Sequence, residues 1–297
     1  MSVSSPNAPT RFVRTASPEA LFVLSAIAQY SGAAIAVRLF DEVRPTTVTV
    51  FRVLLGAVPI LLISWRDHRR WTRDDLTAAA IFGLATAAMN VCFYLAIDRL
   101  PLGKSVVIEF IGPITVAAWY TRTKRNTIAL VLAATGVAIL SGVEIGGDPL
   151  GIVYILGAST FWAIYIILGR RVAGLDRGLS GLGVGLAIGG VAILPIGFHD
   201  VGLVLSTPRL LGLCALVGLL SSAIGYAIDQ VVLRRIPMRR FAVMLALLPA
   251  TAMAMGVIAL GQQPTVTDLI GAAMVIAGVV LQERDELPLR MPEELPG

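Results

Sequence analysis

The sequence predicts an all-α integral membrane protein with ten transmembrane helices, arranged as two inverted five-helix repeats. Three observations predict this fold: the composition, the spacing of the apolar segments and the placement of the basic residues. The chain has 297 residues, of which 56% are hydrophobic and 14% charged, and its mean hydropathy is +0.81. A water-soluble domain of this size needs a more polar surface, so we expect most of the chain to lie in a bilayer.

The apolar segments have the length that a membrane helix needs. A bilayer core of about 30 Å requires roughly 20 apolar residues per helix, and segments of that length alternate with short charged loops. The predicted spans are 19–40, 46–65, 76–97, 102–120, 127–143, 150–168, 179–198, 210–233, 241–260 and 266–281. They divide into a first repeat at 19–145 and a second at 146–283. The polar, proline-containing ends at 1–18 and 284–297 are predicted to be disordered tails without a cleavable signal.

The basic residues indicate the orientation in the membrane. With the amino terminus placed in the cytoplasm, 18 of the 24 basic residues fall on the inner side and 5 on the outer side. The positive-inside rule therefore predicts a multi-pass protein of the inner (plasma) membrane with both termini in the cytoplasm. Because the net charge of +5 reflects topology, it gives no support for nucleic-acid binding. Cys92 and Cys214 lie in apolar segments of different halves and are interpreted as core residues, and no metal or cofactor is expected.

An internal repeat is visible in the two halves. The stretch "LPLGKSVVIEFIGPITVAA" aligns with "IPMRRFAVMLALLPATAMA", which places Pro101 and Pro113 on Pro237 and Pro249 at one constant offset of 136 residues. Each half then has five spans, and because five is odd, the second half crosses the membrane in the opposite sense. Inverted repeats of this kind are typical of secondary transporters, although a duplicated channel or membrane enzyme is also compatible with them.

Glycines in the seventh predicted span suggest close helix packing. Gly181, Gly185 and Gly189 follow one another at four-residue intervals, which places them on one face of a helix. Such rows of small residues allow two helix backbones to approach each other.

Two ionisable residues lie well inside predicted spans. Arg52 and Glu109 are six and seven residues below the outer ends of the second and fourth spans, which places both roughly 9 to 11 Å deep. Intramembrane charges are costly and usually face a partner or a water-filled cavity. A cavity site that binds substrate or protons is one interpretation. A static ion pair between the two residues is the other.

The motif "EFIGP" predicts a helix break beside Glu109. Pro113 lacks an N–H and opposes the carbonyl four residues earlier, which is that of Glu109. Gly112 and Pro113 are therefore interpreted as a break that frees a backbone carbonyl, and Pro249 is its counterpart in the second half. An acidic side chain and a free carbonyl at one depth could bind a small cation or an ammonium group.

Polar and aromatic residues of two other spans complete the candidate site. Asn90 and Tyr94 lie one turn apart on the third span, with Asn90 at the level of Arg52. Trp162 and Tyr165 lie on neighbouring turns of the sixth span. Aromatic residues in spans also serve packing, and both roles stay open.

Four stretches resemble a known family. They are "QYSGAAIAVRLF", "FYLAIDRLPLGKSVVIEFIGP", "FWAIYIILGRR" and "YAIDQVVLRRIP", and the resemblance extends over about residues 20 to 282. They are similar to the threonine/homoserine exporter group of the EamA-type carriers, within the drug/metabolite transporter superfamily. The resemblance implies ten spans and export of small amino acids, in exchange for protons. In the second repeat members of this group often have Glu-Pro where this chain has Leu248 and Pro249.

The sequence therefore predicts a proton-coupled antiporter for small amino-acid-like metabolites that works by alternating access. In this hypothesis Arg52 meets a carboxylate, and Glu109 meets an ammonium group or carries the proton. Export of drugs or other metabolites is the alternative, which Leu248 favours. A membrane enzyme is disfavoured because the chain has no His-Glu-x-x-His motif, and its histidines, His68 and His199, fall in or beside loops. No channel filter segment is evident.

Overall fold

Helices form the framework of the part of the protein that the structure describes. The structure is a computed structural model that describes residues 17–64, 71–120, 123–142, 148–173, 178–233 and 247–281. Within these ranges every regular element is helical. The helices are α1 (Pro18–Leu39), α2 (Pro45–Ser64), α3 (Arg73–Ile97), α4 (Leu102–Glu109), α5 (Ile111–Tyr120), α6 (Lys124–Gly142), α7 (Pro149–Ala173), α8 (Gly178–Ile193), α9 (Val201–Ser206), α10 (Pro208–Val217), a π-helical segment (Gly218–Ile224), α11 (Gly225–Leu233), α12 (Leu247–Leu260) and α13 (Val266–Leu281).

The helix lengths are those of a multi-pass membrane protein. Within the described ranges, five apolar stretches are long enough to cross a bilayer: α1, α2, α3, α7 and the continuous run from α10 into α11. The apolar parts of α8, α12 and α13 are shorter. The predicted fourth span corresponds to α4 and α5 together, and the fifth to α6. The described ranges do not settle the predicted count of ten, because the first part of the ninth span falls outside them.

Several predictions concern residues outside the described ranges. They include most of the arginines assigned to the inner side, and both tails except Ser17 and Pro18. The orientation, the tails and the repeat boundaries therefore stay predictions.

Side-chain caps fix where individual helices begin. Thr72 and Asp75 form a reciprocal capping box at α3, in which each side chain accepts the other's backbone N–H at 3.1 Å. Asp148 accepts the first N–H groups of α7, from Leu150 at 2.9 Å and Gly151 at 3.3 Å. It also pairs with Arg99 at 2.5 Å. The hydrogen bond from Arg99, and then those from the backbone, hold the pKa of Asp148 below its ordinary value.

Three elements depart from the regular spans that the sequence predicts. The fourth span is interrupted at Phe110, between α4 and α5. The eighth span contains the π-helical segment, in which the turn is wider than in an α-helix. The seventh span ends at Ile193 instead of Phe198, and the short helix α9 follows in a stretch that we had predicted to be a loop. The first two irregularities lie beside polar residues of the candidate site, Glu109 and Ser222.

Glycines bring α3 and α8 into backbone contact, as the glycine row predicts. A Cβ at Gly83 would lie 1.9 Å from the carbonyl oxygen of Gly185, and one at Gly189 would lie 2.3 Å from the carbonyl oxygen of Gly83. Side chains larger than hydrogen do not fit at these positions. The contact joins a helix of the first half to one of the second half.

The π-helical segment lies between α1 and α2. A Cβ at Gly56 of α2 would lie 2.9 Å from the carbonyl oxygen of Gly218, and one at Gly218 would lie 2.9 Å from that of Arg52. On the other side, a Cβ at Gly32 of α1 would overlap the Ser221 hydroxyl at 2.2 Å. A segment of the second half is thus held between two helices of the first.

Polar contacts also connect the two halves at one end of the molecule, the end that the charge distribution assigns to the outside. They run from the α1 carboxyl terminus and the α1–α2 loop to elements of the second half. They are Arg38 to the carbonyl of Ala259, Glu42 to Arg209, and the backbone N–H of Arg44 to Asp200 at 2.9 Å.

We predict that Gly83→Ala destabilises the protein. The added methyl group would overlap the Gly185 carbonyl, so α3 and α8 would have to separate, at a cost of about 1 to 3 kcal/mol for an overpacked core. Thermal unfolding of purified protein in detergent should show a lower midpoint. Gly212→Ala is the matched control, because a Cβ there meets nothing within 4 Å and alanine is the better helix former. Equal midpoints for the two variants would contradict the packing account.

Candidate functional site

A buried arginine lies at the centre of a polar cluster. The cluster comprises Arg52, Tyr94, Glu109, Ser222 and Tyr226. Arg52, on α2, is 6% exposed. Its Nε donates a hydrogen bond of 3.4 Å to the Ser222 hydroxyl of the π-helical segment. Its guanidinium carbon lies 4.9 Å from the ring centroid of Tyr94, a cation–π contact. The close approach of α2 to the π-helical segment at Gly56 and Gly218 explains how Ser222 reaches this charge.

Glu109 is buried at the last residue of α4, directly before the helix interruption. It is 8% exposed and lies within electrostatic range of Arg52. The next residue, Phe110, makes an edge-to-face contact with Trp162 of α7, with ring centroids 5.0 Å apart. Among the residues that the structure describes, none forms a hydrogen bond or an ion pair with the Glu109 carboxylate.

The static Arg52–Glu109 ion pair, one of the two interpretations of the sequence, is absent as a direct contact between these two described residues. Arg52 instead donates a hydrogen bond to Ser222, and its guanidinium group lies over the ring of Tyr94. The two charges interact through space without closing a salt bridge.

Two buried hydroxyl groups near the charges have no hydrogen-bond partner in the described part of the chain. The Tyr94 hydroxyl lies beside Arg52 and Ser221 but in poor hydrogen-bond geometry, and the Ser105 hydroxyl lies on α4, one turn before Glu109. Both residues are fully buried. Unsatisfied buried polar groups are rare in native proteins, and these two could bind a polar ligand.

Asn90 links the third helix to the second half. Its Nδ2 donates to the Thr86 carbonyl at 2.7 Å and lies 3.5 Å from the Tyr226 hydroxyl of α11. Tyr165 of α7 packs on Phe82 at 4.8 Å and lies within electrostatic range of Tyr226. Asn90 and Tyr165 thus connect to the cluster through Tyr226.

Tyr30 of α1 is a residue that the sequence analysis missed. It is within electrostatic range of both acids, Glu109 and Asp229, and also of Arg52 and Tyr226. No motif marks it, because a tyrosine in an apolar span looks the same as a packing residue. Tyr30 therefore lies near both charged residues of the predicted site, and near Asp229 and Tyr226 of the second half.

Asp229 is the second feature that the sequence analysis did not identify. Its neighbours along the chain suggest an ion pair with Arg234 or Arg235, which lie outside the described residues. In the structure Asp229 contacts α1 instead, where Ser25 lies 2.6 Å and Gln29 lies 3.1 Å from its carboxylate oxygens. The four-residue spacing of Ser25 and Gln29 placed them on one helix face, and this was the available signal.

The residues of the predicted helix break have different settings. A Cβ at Gly112 would lie 2.2 Å from the Ser159 carbonyl of α7, so this glycine allows α5 to pack closely on α7. Pro113 is the third residue of α5, after the interruption at Phe110. Pro249 is buried in the first turn of α12, and the residues before Leu247 lie outside the described ranges. A break at Pro249 therefore stays a prediction.

Comparison with known proteins gives consistent relatives over most of the chain. The threonine/homoserine exporter RhtA of Salmonella typhimurium is 34% identical over 255 residues, which cover 83% of this chain and 84% of that protein. RhtA of Escherichia coli is 31% identical over 280 residues, or 92% and 94% of the two chains. The uncharacterized transporter YwfM of Bacillus subtilis is 25% identical over 258 residues, or 81% and 85%.

A crystal structure shares the fold. It aligns with a TM-score of 0.62 at 15% identity and covers 89% of this chain and 95% of the other. The sequence model of the EamA-like transporter family matches this chain twice, at residues 17–144 and 149–282. Two copies of one family domain therefore make up the apolar part of the protein. The chain belongs to the EamA-like transporter family, and it is a transporter and not an enzyme.

Proposed function

We propose that this protein exports small amino-acid-like metabolites, of the threonine and homoserine type, across the inner membrane in exchange for protons. The observation that carries the proposal is that Arg52 and Glu109, two buried and opposite charges, lie within electrostatic range without closing an ion pair. The names of the relatives support the same substrate class.

The chemistry of an amino acid matches these groups. Its carboxylate can accept two hydrogen bonds from the guanidinium fork of Arg52. Its ammonium group can donate to Glu109, which in turn can carry a proton when no substrate is bound. The unpartnered hydroxyls of Tyr94 and Ser105 offer further hydrogen bonds to polar substrate groups. Asn90, Trp162 and Tyr165 would shape the site around the side chain.

Alternating access between inverted repeats is the proposed transport mechanism. In such carriers one repeat rocks against the other around a central site. The Asn90–Tyr226 contact supports this arrangement, because its partners are separated by 136 residues, the offset that relates Pro113 to Pro249. Equivalent residues of two repeats meet only near the axis that relates them. The polar contacts that join the halves at the outer end would close that end in this state. We also propose that all ten spans cross the membrane, with both termini in the cytoplasm.

A carrier of drugs or other metabolites is the second candidate. The observation that favours it is Leu248, an apolar residue that is 8% exposed at a position where the exporter group often has an acid. A binding competition with a panel of amino acids, analogues and hydrophobic cations, in detergent, would separate the two candidates. Amino acids should compete if the proposal is correct.

Glu109→Gln should lower proton-driven transport to less than about a tenth, because glutamine neither releases a proton nor offers a charge to an ammonium group. The measurement is uptake of labelled homoserine by reconstituted vesicles under an imposed pH gradient. Asp74→Asn, at an exposed acid in the first turn of α3, is the control and should transport normally. Normal uptake by the Glu109→Gln protein would remove the proposed role of this acid.

Arg52→Gln should weaken binding of threonine roughly 10- to 100-fold, because a hydrogen bond to a charged group contributes about 1.5 to 3 kcal/mol. Arg52→Lys should restore part of the affinity, since it keeps the charge but loses the planar fork and the contact with Tyr94. Equilibrium binding in detergent gives both values, with Lys124→Gln at the exposed start of α6 as control. Unchanged affinity in Arg52→Gln would place the substrate carboxylate elsewhere.

Charge reversal of Glu42 and Arg209 tests whether their ion pair helps to keep the outer end closed. Glu42→Arg and Arg209→Glu should each change the transport rate by up to about fivefold, because an exposed ion pair contributes at most about 1 kcal/mol. The double variant should return toward the original rate, since it restores an attractive pair. If the effects of the two single reversals simply add in the double variant, this contact does not influence transport.

A further inference from the structure

Three polar side chains meet where α1 of the first half packs on α11 of the second. The Ser25 hydroxyl oxygen is fully buried and lies 2.6 Å from Asp229 Oδ1, 3.0 Å from the Gly225 carbonyl oxygen and 3.0 Å from Gln29 Nε2. Gln29 Nε2 also lies 3.1 Å from Asp229 Oδ2. All four distances fall within the range of protein hydrogen bonds.

The hydrogens available at this cluster do not match the contacts if Asp229 is ionised. A serine hydroxyl carries one hydrogen and two lone pairs. Ser25 can accept from Gln29, but it can donate only to Asp229 Oδ1 or to the Gly225 carbonyl. Whichever of these two acceptor oxygens is left over would then lie against the Ser25 oxygen with no hydrogen between them. Because Ser25 is buried, water cannot supply that hydrogen.

One additional proton on Asp229 satisfies every contact. Asp229 Oδ1 then donates to Ser25, Ser25 donates to the Gly225 carbonyl, and Gln29 donates to Ser25 and to Asp229 Oδ2. Reversing the Gln29 amide does not remove the need for the proton. It would place a further acceptor, the amide oxygen, against the same two groups and leave the ionised cluster with even fewer hydrogens.

We propose that Asp229 binds a proton that it shares with Ser25, which makes it a second proton site of the transporter, separate from Glu109. Loss of this proton to water leaves a carboxylate, and the Ser25 hydrogen then bonds Asp229 Oδ1 instead of the Gly225 carbonyl oxygen. Because Ser25 and Asp229 belong to different halves, proton release would exchange one set of hydrogen bonds between α1 and α11 for another. Protonation of Asp229 and the contact between the halves would thereby be coupled.

Within the described ranges, the groups that face Asp229 from neighbouring elements are tyrosines, a serine and an amide. Tyr30 of α1 and Tyr165 of α7 are the titratable groups within electrostatic range of it, and Tyr226 lies one turn earlier on α11. Within the described ranges no arginine or lysine forms an ion pair with Asp229. A carboxylate in an apolar span is costly, and a bound proton removes its charge.

Infrared spectroscopy of the purified full-length protein tests the assignment without any substrate. In sodium-free buffer at neutral pH, the difference between the original protein and Asp229→Asn should contain the C=O stretching band of a protonated carboxyl group. Asparagine keeps the geometry, because its amide donates to Ser25 and accepts from Gln29, so the variant should fold. Loss of ionised-carboxylate bands alone would overturn the proposal.

Two further measurements sharpen the assignment. Ser25→Ala should shift the Asp229 band, because the acceptor of its proton is removed, whereas Ser64→Ala, whose hydroxyl bonds within α2, should leave it in place. Disappearance of the band when sodium chloride replaces choline chloride at constant pH would assign the site to sodium and overturn the proton. None of these outcomes depends on amino-acid export, so the proposed function and this inference can fail separately.

Discussion

The contact on which the site depends is the insertion of the π-helical segment between α1 and α2. Each polar group in a membrane interior needs a partner, because an unsatisfied one costs several kcal/mol in hydrocarbon. Ser221 and Ser222 are adjacent in sequence and therefore point in different directions from the helix axis. One donates to the Gln29 carbonyl of α1 at 3.0 Å, and the other accepts from Arg52 of α2. A single segment thus stabilises polar groups on two helices, and glycine at positions 56 and 218 makes the approach possible.

The site consequently belongs to neither half alone. Arg52, Tyr94 and Glu109 come from the first family domain, whereas Ser222, Tyr226 and Asp229 come from the second. Any movement of one half against the other changes the distances within the cluster. Opposite charges that are held near each other without a closed salt bridge suit such a movement, because a tight buried pair would resist separation. The arrangement supports a carrier more than a rigid scaffold.

Much of this could be predicted from the sequence, and the missing parts have physical reasons. Helix positions followed from hydropathy, and Arg52 and Glu109 were conspicuous because charges are rare in apolar segments. The glycine row predicted a close contact, but not that α3 would be the partner. Ser25, Tyr30 and Asp229 were missed because their contacts join segments about 200 residues apart in the chain, and a local spacing such as that of Ser25 and Gln29 does not identify the partner. The π-helical segment was missed because its hydropathy is that of an ordinary span.

The wide turn of the π-helical segment also sets the rotation of everything that follows it. A residue inserted into or removed from an α-helix turns the downstream part by about 100°. Shortening this segment to α-helical register would therefore swing Tyr226 away from Asn90 and Asp229 away from Ser25 together, while the span kept its length and hydrophobicity. The Asn90–Tyr226 and Ser25–Asp229 contacts between the family domains therefore depend on the same wide turn. Removing one residue there would break both contacts, although a hydropathy profile would not show the change.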